Sequence, residues 1–104
     1  MTPDQAAMVA FLRQRYAESV EMAHALGAGM IRQAEANKQL SMNVAEAEAR
    51  RKVHVAEARG QFFEETVVPY LGTAGPTGRI ADQQLRLLAW EHAGARDYDE
   101  GWRP

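Results

Sequence analysis

The chain is predicted to be all-α: a small antiparallel bundle of three helices, or four if the chain breaks near Ser41, with an ordered C-terminal tail. Three observations predict this. Apolar residues recur at steps of three and four through long stretches, the pattern of a helix that buries one face. The stretch from Met30 to Leu71 is dominated by Ala, Glu, Gln, Arg and Lys, with Gly60 its only glycine and Pro69 its only proline. Glycines and prolines gather instead at Gly27-Ala28-Gly29 and between Gly72 and Gly78, where connections are expected. With 104 residues the chain reads as one helical domain spanning residues 1–104.

The first helix starts at a legible signal. Thr2 can cap, Pro3 suits the first helical position, and Gln5 completes a capping box. Met8, Leu12, Tyr16 and Val20 step by four, and Val9, Phe11, Ala23 and Leu26 widen the stripe. Gly27-Ala28-Gly29 is the expected stop. A break or kink is expected around Ser41-Met42-Asn43, with Asn43 and Glu46 able to cap a fresh helix. Beyond it Ala49, Val53, Ala56, Gly60, Phe63, Val67 and Tyr70 alternate steps of four and three, a coiled-coil-like seam in which small residues permit close approach. Pro69 can kink or end that helix. The last helix is expected from Thr77 or Arg79 to Trp90, with Ile80, Leu87 and Leu88 near one side and Leu85 beside them. The tail is too short for a packed element but carries Tyr98 and Trp102, of which one or the other is expected to dock on the helices.

Twelve Lys and Arg oppose 14 Asp and Glu, and the balance is local. Residues 1–40 carry four basic and four acidic groups, and residues 41–70 and 71–104 each carry four and five, so no segment has the net positive charge that phosphate binding usually requires. Absence of cysteine removes disulfides, thiolate zinc sites and cysteine nucleophiles, and suits a reducing compartment, with the cytoplasm as the expected location. No apolar run approaches the roughly 20 residues of a membrane span, and Met1-Thr2-Pro3-Asp4-Gln5 lacks the basic and apolar regions of a signal peptide.

No catalytic constellation stands out, and the expectation is a non-enzyme without cofactor. Ser19 and Ser41 are the only serines, and neither lies in a glycine-flanked turn that would expose a nucleophile. The Gly72–Gly78 loop has no Gly-Lys-Ser/Thr and no preceding strand, so it reads as an interhelical connection. Glu21 and His24 have the i, i+3 spacing of helical di-iron sites, and His54 with Glu57 gives a reversed pair, but the second such motif is missing. Arg50-Arg51-Lys52, with His54 and Arg59 following, is the one local basic cluster. On a helix these side chains fan out, and Glu46 and Glu48 stand at i, i+4 positions to Arg50 and Lys52. Asp97, Asp99 and Glu100 of the tail are a possible counter-charge for it.

Three stretches together carry a family resemblance: Met8-Val9-Ala10-Phe11-Leu12-Arg13-Gln14-Arg15, then Glu48-Ala49-Arg50-Arg51-Lys52, then Leu85-Arg86-Leu87-Leu88-Ala89 leading to Asp97-Tyr98 and Trp102-Arg103-Pro104. The chain resembles a family of small proteins from actinobacteria and their phages whose members end in Leu-Arg-Leu-Leu-Ala, a Tyr-containing linker and Trp-Arg-Pro. Residues 30–45 lie outside the resemblance. It implies a short single-domain protein of actinobacterial or actinophage origin and supplies no catalytic residue. The resulting expectation is an accessory protein that binds a host or phage protein, with Arg50, Arg51, Lys52, Arg59, Tyr98 and Trp102 as candidate interaction surface, since Tyr and Trp are enriched at interfaces. A nucleic-acid-associated role through the basic cluster, and a metal-binding bundle through Glu21, His24, His54 and Glu57, are the alternatives. A homodimer is a further expectation, because a long helical stretch can expose part of its seam for a second copy to cover.

Overall fold

The computed structural model describes all residues from Met1 to Pro104. It is all helical. Helix α1 runs Pro3–Ala36, α2 Met42–Thr66 and α3 Pro76–Trp90; short 3-10 turns occupy Val68–Tyr70 and Glu100–Trp102. The chain divides into two compact units: Met1–Arg15 with Gln61–Pro104, and Tyr16–Gly60. α1 and α2 each contribute residues to both.

In the first unit the start of α1 is the expected capping box. The Gln5 amide donates to Thr2 Oγ1 at 3.1 Å, and the Thr2 amide donates to Gln5 Oε1 at 2.9 Å. Asp4 in the first turn adds a carboxylate where the helix dipole favours it. The unit's core consists of Met8, Val9, Phe11 and Leu12 from α1, Phe63 from α2, Val67 and Leu71 from the connection, Ala81, Leu85 and Ala89 from α3, and Trp102 from the tail. α2 ends at Thr66, just ahead of Pro69, which has no amide to donate and disfavours helix in the residue before it. Gly72 and Gly75 take positive φ, 82° and 79°, and turn the chain into α3 with Pro76 at its first position.

α3 turns a different face inward from the one its large residues suggest. Gly78, Ala81, Leu85 and Ala89 are buried and Leu88 is half-buried, whereas Ile80 and Leu87 are exposed. The small residues determine the choice, because Gly78 lets the helix pack directly on the Thr73 carbonyl, where a Cβ would meet the oxygen at 1.9 Å. Tyr70, at the end of the expected seam, is also exposed.

In the second unit α1 and α2 form an antiparallel hairpin. Tyr16 approaches Gly60 and Gly27 approaches Ala49, so positions rise along one helix as they fall along the other. α1 does not stop at Gly27-Ala28-Gly29 but continues to Ala36. Gly27 serves packing instead of termination, because a Cβ there would come within 2.9 Å of the Ala49 Cβ. The break falls around Ser41 as expected, but Ser41 caps α2 in place of Asn43: its Oγ accepts from the Val44 amide at 3.3 Å and its carbonyl from the Ala45 amide at 3.0 Å. Asn37 turns the chain before it, accepting from the Gln39 amide at 3.0 Å. Every fully buried side chain of this unit is small: Ala23, Ala34, Ala45 and Ala56, together with Gly27.

Candidate functional site

The two aromatic residues of the candidate surface belong to the first unit's interior. Trp102 is buried, 5.4 Å from Phe11 and 5.6 Å from Tyr98 between ring centroids, and Phe11 also meets Tyr98 and His92 edge to face. Tyr98 is half-buried and its hydroxyl has no hydrogen-bond partner. The docking expected for one of them holds for both, so Trp102 is removed from the candidate interaction surface and Tyr98 is largely withdrawn from it. Their partner contacts lie within this chain: Asp99 accepts from the Gly101 amide at 2.8 Å, Arg86 reaches the Trp102 carbonyl at 3.4 Å, and Arg15 pairs with Asp97 at 3.3 Å. Asp97 and Asp99 are thus engaged in the first unit, not as counter-charges to Arg50, Arg51 and Lys52.

Beside this core a polar chain links α1 to α3. Gln5 is buried and donates to Asp82 Oδ1 at 3.0 Å, and Arg86 donates to Asp82 Oδ2 at 3.0 Å. Burial works to raise the Asp82 carboxyl, but the hydrogen bonds from Gln5 and Arg86 and the positive charge of Arg86 outweigh it and hold the group below its ordinary value. Gln5, Asp82 and Arg79 line an open depression over the glycine turn. Farther along α1, Arg13 and Glu64 form a bidentate pair at 2.6 and 2.9 Å. The hydrogen bond from Arg13 is the main cause that lowers the Glu64 carboxyl.

Arg50 and Arg51 of α2 line one shallow depression with Ala47, His54, Val55 and Ala58, and Lys52 and Arg59 lie outside it. Arg51 donates to Glu48 of the preceding turn at 3.1 Å, and this bond is the first cause of the raised Arg51 and lowered Glu48 values. Arg50 lines a groove of about 400 Å³ between the hairpin helices, with Gly27, Ala28, Ile31, Ala49 and Val53. Lys52 is half-buried and Arg59 exposed. Successive residues turn by about 100° on a helix, so Lys52, two residues on, leaves α2 on a side away from Arg50. His24, His54 and Glu57 line the same groove as Arg50, yet no group of three or more His, Asp or Glu side chains able to hold a metal ion occurs in the chain.

What the sequence reading missed is apolar. Ile80, Leu87 and Trp90 are exposed at 58%, 44% and 46% on the face of α3 opposite its buried residues, and Arg103 stacks over the Trp90 ring at 5.7 Å. On the hairpin Met22, Leu26, Val44 and Val55 are exposed. Their signal is present in the spacing, since Ile80, Leu87 and Trp90 step by seven and three, but both faces of α3 are apolar and periodicity alone does not say which is buried. No helix is long and apolar enough to cross a membrane. Comparison with protein-family models, curated proteins and solved structures finds no match.

Proposed function

We propose that the chain is a non-catalytic protein-binding module that engages a host or phage protein partner through the outer face of α3. The observation that carries this reading is the row of Ile80, Leu87 and Trp90. Three large apolar side chains stand exposed in helical register on a helix whose other face is already packed. Such a row, with an aromatic ring at one end and a guanidinium over it, has the composition of a binding hot spot, and exposed apolar patches of this kind mark interaction sites. With the resemblance to the actinobacterial and actinophage family, it supports an accessory protein acting in the cytoplasm. The nucleic-acid reading has less support, because Lys52 and Arg59 lie apart from Arg50 and Arg51 and Arg51 is already paired with Glu48.

The test is capture from an actinobacterial lysate with immobilised full-length chain, run beside Ile80→Glu and Leu87→Glu baits. A protein retained by the wild type and lost from both variants supports the reading. Equal retention by all three baits, or no retained protein, overturns it. Circular dichroism of the variants keeps folding apart from binding, since both positions are exposed.

A further inference from the structure

The hairpin unit leaves apolar surface uncovered. Its fully buried positions are alanines and Gly27, with Val20, Ile31 and Val53 half-buried beside them, while Met22, Leu26, Val44 and Val55 stay exposed. Most of the stability of a helix in a protein comes from packing an amphipathic face, and a seam whose fully buried positions are all alanine or glycine leaves the larger apolar side chains partly in water.

The exposed residues share one face of the hairpin. The groove on the other face is lined by His24, Ala28 and Ile31 from α1 and by Arg50, Val53 and Glu57 from α2. Met22 and Leu26 lie on the opposite flank of α1 from that lining, and Val44, Glu48, Arg51 and Val55 on the opposite flank of α2, by the turn of about 100° per residue.

The pattern on this face is complementary to its own reverse. Along α2 it is apolar Val44, acidic Glu48, basic Arg51 and apolar Val55, at steps of four, three and four. Laid antiparallel on a copy of itself, this row sets each Val44 on the other Val55 and each Glu48 on the other Arg51. Along α1, Met22, Leu26 and the half-buried Met30 are symmetric about Leu26. The approaches of Gly27 to Ala49 and Tyr16 to Gly60 put Leu26 level with the midpoint between Glu48 and Arg51. The centres of symmetry on the two helices therefore coincide, which a single two-fold axis requires.

We propose that this face docks a second copy of the chain, the two hairpins crossing antiparallel about a two-fold axis that runs past Leu26 and between Glu48 and Arg51. The Glu48 and Arg51 pairs, already formed within each helix at 3.1 Å, become a four-charge cluster flanked by Val44 and Val55. The charges select this register, since shifting it or making the helices parallel sets like charges or a charge and a valine face to face. This docking is independent of the α3 face, whose reading stands or falls by the capture experiment.

Sedimentation equilibrium of the full-length chain tests it. The wild type is expected at twice the 11.6 kDa chain mass. Glu48→Arg and Arg51→Glu each set like charges against one another in the self-pair and are expected to weaken self-association by at least about tenfold. An equimolar mixture of the two variants restores a dimer, because every facing pair is then Arg against Glu. A wild type that stays monomeric up to about 1 mM, single variants that dimerise like the wild type, or a mixture that stays monomeric while circular dichroism shows both variants helical, overturns the proposal.

Discussion

Gly27 and Ala49 stand so close across the hairpin that a methyl group on the glycine would lie 2.9 Å from the Ala49 Cβ and 3.2 Å from its Cα. Alanine is favoured over glycine in a helix by about 1 kcal/mol, but here it would push two backbones apart, and overpacking costs about 1–3 kcal/mol. Gly27→Ala is therefore expected to destabilise the protein by about 1 kcal/mol net. Gly29 and Gly60 are controls, because their added methyls would find ordinary contacts at 3.7 Å. Both are expected to gain up to about 1 kcal/mol as alanine. Urea denaturation of the three variants checks this, and a gain at Gly27 equal to the others would mean that the seam is not close-packed.

Gly78 and Gly75 require glycine for different reasons. At Gly78 the backbone is helical, but a Cβ would sit 1.9 Å from the Thr73 carbonyl oxygen. That turn is held by Thr73, whose hydroxyl and amide both donate to the Tyr70 carbonyl, at 2.7 and 3.3 Å. Gly78→Ala is expected to cost about 3 kcal/mol. Gly75 has open space around it but φ 79° and ψ -159°, a region that essentially only glycine adopts, so Gly75→Ala should cost about 1–3 kcal/mol from backbone strain alone. Thermal melts rank the pair, and a larger loss at Gly75 would contradict the packing assigned to α3.

The Trp102 indole fills the first unit's core against Phe11, so Trp102→Ala is expected to cost about 3 kcal/mol. Tyr98→Phe should behave in the opposite way. The Tyr98 hydroxyl is buried without a partner, and removing an unsatisfied polar group is neutral or stabilising by up to about 1 kcal/mol. Chemical denaturation followed by tryptophan fluorescence and circular dichroism reads both. A loss at Tyr98→Phe would show that the hydroxyl is satisfied in solution.

The parts of this structure legible in the sequence are local. Thr2 and Gln5 cap each other because both groups lie within one turn, and Ser41 and Pro69 lie at the ends of helices for the same reason. Ser41 and Asn43 compete for the same capping role, and only the placement of Met42 inside the helix decides between them. Gly27 has the local signature of a stop because glycine often ends helices, but its role depends on Ala49, a contact that only the hairpin creates. α3 shows the same limit. Its two faces, Ile80, Leu87 and Trp90 against Ala81, Leu85 and Ala89, are both apolar, and periodicity cannot say which is inside. The close approach at Gly78 says so, and with it the proposed site moves from the basic residues and tail aromatics to the exposed row of Ile80, Leu87 and Trp90.

Asp82 should make part of the stability depend on pH. Its carboxyl lies below its ordinary value in the folded protein because Gln5 and Arg86 donate to the charged form and outweigh the effect of burial. A carboxylate with a lowered folded value adds stability that is fully present above its unfolded value and is lost as the pH falls through the folded one. The loss therefore falls below about pH 4 for Asp82. In Asp82→Asn the amide oxygen can still accept one hydrogen bond, but the charge held by Arg86 is gone. The variant is expected to be less stable than the wild type at pH 7, by about 1–2 kcal/mol, and to lose less on acidification, so the two curves converge towards about pH 2. Glu64, lowered mainly by its hydrogen bond from Arg13, acts in the same direction but is exposed, so its share should fade with added salt while that of Asp82 persists. Parallel curves for wild type and Asp82→Asn would show that the Gln5, Asp82 and Arg86 chain does not hold a charged carboxylate.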